Sequence, residues 1–346
     1  MSSLCLLIVL PAVAAGYDPL DVPDAEPQTR EFVVTDAARQ REIPVLVYRP
    51  AEEGPRPVVL FSHGLGGSRR GCAYLGRHWA GRGYAAVFVQ HPGSDEAVWK
   101  DERPQDRRAA LLKQANAAQF RARLQDVPAV LDQLDRWAAE AGHPLHGAID
   151  VSRVGMSGHS FGAKTTQMLS GQSARLGGRV LGGRRSSADG RIVAAIAMSP
   201  SPPAGPRAGG AFADVTIPWL LMTGTRDSDP ITAAGRAPLD RRDVYEGIPE
   251  STAKYELVLD GGVHSTFTDQ NRRGDAGPKN PAHHRTILAL STAFWDAHLR
   301  GDEEARRWLD GAGVRTVLSA DDEWQTSAAA AVPADASPDA GPHTDR

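Results

Sequence analysis

The segment from Arg153 to Lys164, RVGMSGHSFGAK, constrains the fold more than any other stretch of this 346-residue chain. A short apolar run ends in Gly158-His159-Ser160-Phe161-Gly162 and passes directly into a helical pattern, AKTTQMLS. A strand that turns at once into a helix holds the serine at a strained apex. Its hydroxyl is exposed there, and the next N–H points into the same space. Glycines two before and two after Ser160 keep Cβ atoms out of the crowded turn. With 35 glycines in the chain the five-residue pattern alone carries little weight, and its strand-to-helix context carries most of it.

Short β-branched runs alternate with helical patterns on both sides of this turn. Glu31–Thr35 and Ile43–Tyr48 read as a first strand pair. Pro57–Ser62 and Tyr84–Gln90 are continuous apolar runs, as expected for strands buried on both faces. Arg153–Met156, Ile192–Ser199, Pro218–Thr223 and Tyr255–Leu259 follow as strands, and Gly71–Gly81 suits a helix. The longest helical stretch, Gln105–Ala141, carries Phe120, Leu124, Val127, Leu131 and Leu134 on one stripe. Pro128 is expected to divide it, with Asp126 capping a second helix whose first turn holds the proline. His284–Arg300 reads as a last helix. The alternation implies right-handed crossovers and a mostly parallel sheet. Ser173–Arg191 and Gly235–Thr252 are surface excursions that either border a site or are idle insertions.

A serine hydroxyl is a poor nucleophile until an imidazole takes its proton, and the imidazole needs a carboxylate to set its tautomer. In folds with this turn the partners follow in the order Ser, acid, His. After the strand ending at Thr223 comes Gly224-Thr225-Arg226-Asp227-Ser228-Asp229-Pro230, which makes Asp227 the expected acid. Asp229 is the runner-up and Asp260 a distant third, while an Asx turn is the plainer role for Asp227. Past the last strand, Gly261-Gly262-Val263-His264 delivers His264 as the expected base. His283 and His284 open a helix and are poorer candidates.

An oxyanion hole completes such a site. The N–H of Phe161 is one expected donor. The other is the N–H of Leu65, in the loop His63-Gly64-Leu65-Gly66-Gly67 that follows the strand VVLFS. His63, at the strand end, reads as a hydrogen-bonding residue that holds this loop. His159 reads as core packing, and so does Cys72.

Other chemistries find little support. Lys plus Arg number 39 against 42 Asp plus Glu, a net charge of −3 that argues against a nucleic-acid partner. No metal motif such as H-E-x-x-H occurs, no G-x-G-x-x-G opens a helix after a strand, and Ala174–Arg185 lacks the Lys-Ser/Thr of a phosphate loop, so neither metal nor cofactor is expected. Two cysteines, Cys5 and Cys72, make no disulfide framework. Leu4–Ala15 is an apolar run of 12 residues, too short to span a bilayer, which takes about 20. It ends in small residues and reads as a signal peptide over 1–15. Residues 326–346, rich in Ala, Pro and Asp, read as a disordered tail. Length alone suggests two domains, but one decorated α/β domain over 16–325 accounts for what is left.

The motifs VVLFSHGLGG, VGMSGHSFGA, LLMTGTRDSD and GGVHSTFTD resemble the α/β-hydrolase superfamily. They are most similar to its platelet-activating-factor acetylhydrolase-like and dienelactone-hydrolase-like branch, which neighbours the bacterial polyesterases. The resemblance covers roughly Pro44 to Leu309. It implies an α/β-hydrolase fold with a mostly parallel, eight-stranded sheet and helices on both faces. It also implies a cofactor-free serine hydrolase with Ser160, Asp227 and His264 as triad and Leu65 and Phe161 as oxyanion donors. Animal acetylhydrolases carry the acid after the strand next to the nucleophile helix. Here that strand, IVAAIAMSPSPP, offers no carboxylate, which again favours Asp227 and weakens a phospholipid specificity. A dienelactone-type enzyme uses cysteine where this chain has serine. The expectation is an exported esterase acting on a small-molecule, lipid or polymer ester. Its rivals are a peptidase or amidase with the same triad and a silent binding protein on this fold. The insertion Gly93–Ala110, with Trp99, either shapes the substrate pocket or is a solvated loop.

Overall fold

Each apolar run becomes a strand whose alternate side chains enter two different helical layers. The computed structural model describes residues 16–23, 26–175, 184–203, 210–228, 238–269 and 280–327. Its strands are β1 (Gln28–Asp36), β2 (Arg41–Arg49), β3 (Arg56–Ser62), β4 (Ala85–Val89), β5 (Ile149–His159), β6 (Ile192–Met198), β7 (Trp219–Arg226), β8 (Lys254–Val263) and β9 (Glu323–Thr326). They form one sheet in the order β1-β2-β4-β3-β5-β6-β7-β8-β9. From β4 through β8 the neighbours are parallel, and β1, β2 and β9 supply the antiparallel pairings.

Among the described residues, the six α-helices longer than one or two turns are α1 (Ala73–Gly81), α2 (Arg107–Gln114), α3 (Ala117–Ala139), α4 (Phe161–Leu169), α5 (Pro281–Trp295) and α6 (Glu303–Asp310), and a five-residue helix lies at Asp243–Gly247. Val59 and Phe61 of β3 join Leu75 and Trp79 of α1 and Trp295 of α5 in one core cluster. Val58 and Leu60 face the other way, onto Val127, Leu131 and Leu134 of α3. Burying each such large side chain contributes about 1.5–3 kcal/mol. The strand order, the parallel centre and the helices on both faces are those of the α/β-hydrolase fold, as expected.

The sheet has nine strands in place of the expected eight. The added strand, Glu-Trp-Gln-Thr, is short and largely polar, so hydrophobic patterning gives it no signal. It is held by antiparallel pairing to Tyr255–Val258, with the ring of Trp324 stacked on Tyr255 at 5.8 Å. Thr326 therefore belongs to the sheet edge and not to a disordered tail, and the Ser327 N–H donates to the Lys254 carbonyl at 2.9 Å. Residues 1–15, with Cys5, and residues 328–346 lie outside the described residues.

The expected division of the long helix at Pro128 is also corrected. The break falls at Asn116, whose side chain accepts from the Gln119 N–H at 3.0 Å, and α3 runs through Pro128 unbroken. Asp126 caps nothing. It is a buried carboxylate that gathers Arg39, Arg41 and His91, and these contacts place it inside the helix. The last long helix begins three residues earlier than expected, at Pro281. Asn280 caps it, and its final turn, Asp296–Arg300, is a π-helix.

Candidate active site

The C-terminal ends of the parallel strands β5, β7 and β8 lie close together because their registers align Met198 with both His159 and Met222, and Leu259 with Gly224. Ser160 follows β5 with φ 58° and ψ −114°, a strained conformation for a residue with a side chain. Its N–H donates to Met198 O at 2.9 Å, which ties the apex to the next strand. A Cβ at Gly158 would fall 2.5 Å from the Gly162 carbonyl, and one at Gly162 would overlap the carbonyl of Ser62. Only glycine permits the turn to close on β3.

The structure brings Ser160, His264 and Asp227 together. His264 Nε2 lies 2.8 Å from Ser160 Oγ, and Nδ1 lies 2.7 Å from Asp227 Oδ1. With a carboxylate at Nδ1, that nitrogen carries the proton and Nε2 is left free to accept from the serine. Asp227 is fully buried, and its Oδ2 accepts from the Thr223 hydroxyl at 3.0 Å. Burial on its own would raise this carboxyl's pKa. The hydrogen bond and charge of His264, together with Arg241, reverse the effect and hold it below the ordinary value. Asp229 lies outside the described residues, and Asp260 is an exposed residue of β8 whose side chain meets Thr225 and not His264.

The loop after β3 lies against the serine. A Cβ at Gly64 would sit 3.4 Å from Ser160 Cβ and 3.3 Å from His159 Nδ1, so Gly64 is required by close approach. Among the described residues, neither the Leu65 N–H nor the Phe161 N–H meets an acceptor. His63 donates from Nδ1 to its neighbour's carbonyl, Gly64 O, at 2.7 Å and accepts the His91 N–H at Nε2, 3.1 Å away. Burial, with Arg123 and His91 nearby, holds the His63 pKa well below its ordinary value, so the ring is neutral. His159 is buried and hydrogen-bonds through Nε2 to His264 O at 2.8 Å, packing under that residue's backbone.

Several site residues were not singled out from the sequence. Arg241, in the excursion before β8, reaches Asp227 Oδ1 at 3.1 Å and donates to the carbonyls of Asp227, Ser199 and Pro200. It thus joins its own loop to those that carry Asp227 and Ser199. Its Nη2 is 3.3 Å from His264 Nδ1, a contact between two donors that share one carboxylate. Arg123 on α3 is fully buried and grips the loop after β3. Behind it, Asp126 hydrogen-bonds His91 Nδ1 at 3.0 Å, and His91 Nε2 accepts from Ser62 Oγ at 3.0 Å. Burial pushes the His91 pKa down to about 4, with Arg123 adding to the shift and Asp126 opposing it. The one available sequence signal was Arg123 itself, a charge set beside the apolar stripe between Phe120 and Val127. Arg241, in a polar loop, left none.

The insertion after β4 proves to be a brace. The Trp99 indole N–H donates to Gly66 O at 2.7 Å, and Gly66 N–H donates to Ser94 O at 2.9 Å. Of the excursion over 173–191, the described part holds a two-stranded ribbon of Ser173–Arg175 and Arg184–Ser186. No group of three or more His, Cys, Asp or Glu side chains among the described residues is arranged to hold a metal ion. No helix among them is long and apolar enough to cross a membrane.

Fold and strand-end geometry define the class, an α/β-hydrolase fold with Ser160, His264 and Asp227 hydrogen-bonded in sequence at the strand-to-helix turn. Comparison with known proteins agrees with the fold. The chain is 25% identical over 218 residues to cutinase est2 of Thermobifida alba, covering 63% of this chain and 56% of that protein. It is 24% identical over 218 residues to cutinase 1 of Thermobifida cellulosilytica, covering 63% and 64% of the two chains. The cutinase of Thermobifida fusca matches at 24% over the same length, with 56% of that protein covered. The matched stretch spans less than two thirds of each of these relatives. No family model matches the chain.

Proposed function

We propose that the protein is a serine-dependent carboxylic ester hydrolase. The observation that carries this reading is the continuous hydrogen-bond path Ser160–His264–Asp227, 2.8 and 2.7 Å long, ending on a serine strained to positive φ. Ser160 Oγ attacks the acyl carbon while His264 Nε2 takes its proton. The carbonyl oxygen becomes an oxyanion held by the N–H groups of Leu65 and Phe161. As the tetrahedral adduct collapses, the acyl–oxygen bond to the alcohol breaks and His264 returns the proton to the departing alkoxide. Water then attacks the acyl enzyme, with His264 as base again, and releases the acid and free Ser160. Asp227 orients the imidazole and stabilises its cation.

The similarity to cutinases supports an ester as substrate, and the motif resemblance supports a relationship to the acetylhydrolase-like and dienelactone-hydrolase-like branch. We further propose export of the chain after cleavage of residues 1–15, leaving one hydrolase domain from residue 16 to the ninth strand. The substrate class is a small-molecule, lipid or polymer ester.

The test is labelling by a fluorophosphonate probe, followed by an ester panel of graded acyl length with an amide control. Labelling of the wild type and not of Ser160→Ala, with ester turnover exceeding amide turnover, is the expected result. Absence of labelling in the wild type, or equal labelling of both proteins, overturns the reading. Faster turnover of the amide makes the protein a peptidase or amidase.

A further inference from the structure

Arg123 is an unusual charge among the described residues. It is fully buried, at 0% exposure. Its hydrogen-bond partners are neutral: His63 O at 2.5 Å from Nη1, Gly64 O and Ser94 O at 3.4 and 3.2 Å from Nη2, and Ser94 Oγ at 2.9 Å from Nε. Among the described residues no carboxylate oxygen pairs with it directly, because the nearby Asp126 is engaged by Arg39, Arg41 and His91. A buried cation without a paired anion is costly. Its retention needs a reason in the atoms around it.

Those atoms are the frame of the oxyanion site. Gly64 O also accepts from His63 Nδ1 at 2.7 Å and from the Gly67 N–H at 3.0 Å, so this carbonyl is held from several sides. Gly64 C=O and Leu65 N–H belong to one trans peptide and point in opposite directions. Fixing the carbonyl toward Arg123 therefore aims the Leu65 N–H away from it, in a loop whose Gly64 packs against Ser160. The same guanidinium lies 4.6 Å over the ring of Phe161, the residue that carries the second N–H. One side chain thus holds the carbonyl of the Gly64–Leu65 peptide and covers the ring of Phe161.

We propose that Arg123 is a positioning residue for the oxyanion hole, which sets the Leu65 and Phe161 N–H groups and supplies a fixed positive charge behind them. The inference rests on the ester-hydrolase reading. Burial lowers the guanidinium's pKa to about 9, with Asp126 and Asp95 acting in the opposite sense, so the group stays cationic at neutral pH. In a site that excludes water, such a preorganised charge acts at the moment negative charge develops and contributes less to the neutral ground state.

The experiment compares wild type, Arg123→Met and Arg123→Lys, with each kcat counted per active site titrated by a fluorophosphonate so that misfolded protein drops out. Removing a single oxyanion donor costs about 10²–10³ in kcat. A loss of that order is expected for Arg123→Met, with KM little changed and with affinity for an alkyl boronic acid falling in parallel. The boronate adduct on Ser160 places a negative oxygen where the reaction does, a readout that general destabilisation does not move. Arg123→Lys keeps the charge and loses the forked grip, and is expected to lie between the two. It carries the test if the methionine variant does not fold. A kcat per titrated site close to wild type in the variants that fold overturns the inference, as does a lowered kcat with unchanged boronate affinity. A wild type that neither labels nor turns over esters defeats the ester-hydrolase reading instead.

Discussion

Asp227 and His264 are 37 residues apart in sequence, yet His264 Nδ1 lies 2.7 Å from Asp227 Oδ1. The adjacency follows from β7 and β8. These strands are parallel neighbours paired from Trp219 with Lys254 to Gly224 with Leu259, so the loops that leave them emerge side by side. Arg241 meets the same oxygen, Asp227 Oδ1, at 3.1 Å.

Asp227→Asn is expected to preserve the fold and lower kcat by about four orders of magnitude, because the amide favours the wrong imidazole tautomer. Asp229→Asn is expected to stay close to wild type. Steady-state ester hydrolysis by the two variants checks the assignment. A collapse confined to Asp229→Asn would move the acid two residues along.

Two positions in the helical stretch before β5, its N-cap and an interior carboxylate, have different energetics. Asn116→Ala removes an exposed cap and is expected to cost about 1 kcal/mol. Asp126→Ala leaves Arg39, Arg41 and His91 without their shared carboxylate, and loss of one partner of a buried pair costs about 3–5 kcal/mol. Urea denaturation midpoints give the comparison, and similar midpoints for the two variants would contradict it.

Gly162→Ala places a Cβ against the Ser62 carbonyl and 2.9 Å from His63 O, both backbone atoms that cannot move aside cheaply. Overpacking costs about 1–3 kcal/mol even among side chains, and here the cost is expected at the upper end or beyond. At Gly190 an added Cβ meets nothing within 4 Å, so Gly190→Ala is expected to melt with the wild type. Calorimetric melting temperatures of the two proteins test the contrast.

Acid is expected to destabilise the fold before the carboxylates are protonated in bulk. An unfolded histidine titrates near pH 6.5, whereas burial holds native His91 near 4. Between those values the unfolded chain binds a proton that the native chain does not, so stability falls as the pH drops from about 6.5 to about 4. Native His63 is depressed as well and acts in the same sense. Asp126, held well below the ordinary carboxylate range mainly by His91 and Arg41 against the opposing effect of burial, adds a further loss at still lower pH. Each unit of difference is worth roughly 1.4 kcal/mol. Melting curves at pH 7, 5.5 and 4.5 should step downward, with a smaller step for His91→Gln. A flat series would show that the imidazoles are not buried neutral.

Much of this architecture was legible from neighbouring residues. Period-two and continuous apolar runs marked eight strands, because a strand buried between two layers must be apolar along its length. The strained turn at Ser160 was legible because Gly158 and Gly162 answer a backbone contact within five residues. Asp227 and His264 could be named as candidates because each follows a strand in the order Ser, acid, His known for folds with this turn.

Other features depend on partners far along the chain. Asp126 looks like a helix cap when only Val127 and Pro128 are considered, and becomes an interior carboxylate once Arg39 and Arg41 arrive from about 85 residues away. Strand β9 has too little apolar character to announce itself and forms because β8 offers it an unpaired edge. The roles of Arg123 and Arg241 emerge only when packing removes the water around them and leaves backbone carbonyls among their acceptors. Periodicity and turn chemistry act over a few residues, and they sufficed for the strand–helix alternation and the Gly-x-Ser-x-Gly turn. Charges buried without water are stabilised only by atoms brought from elsewhere in the chain, so their roles around the site emerged with the packed fold.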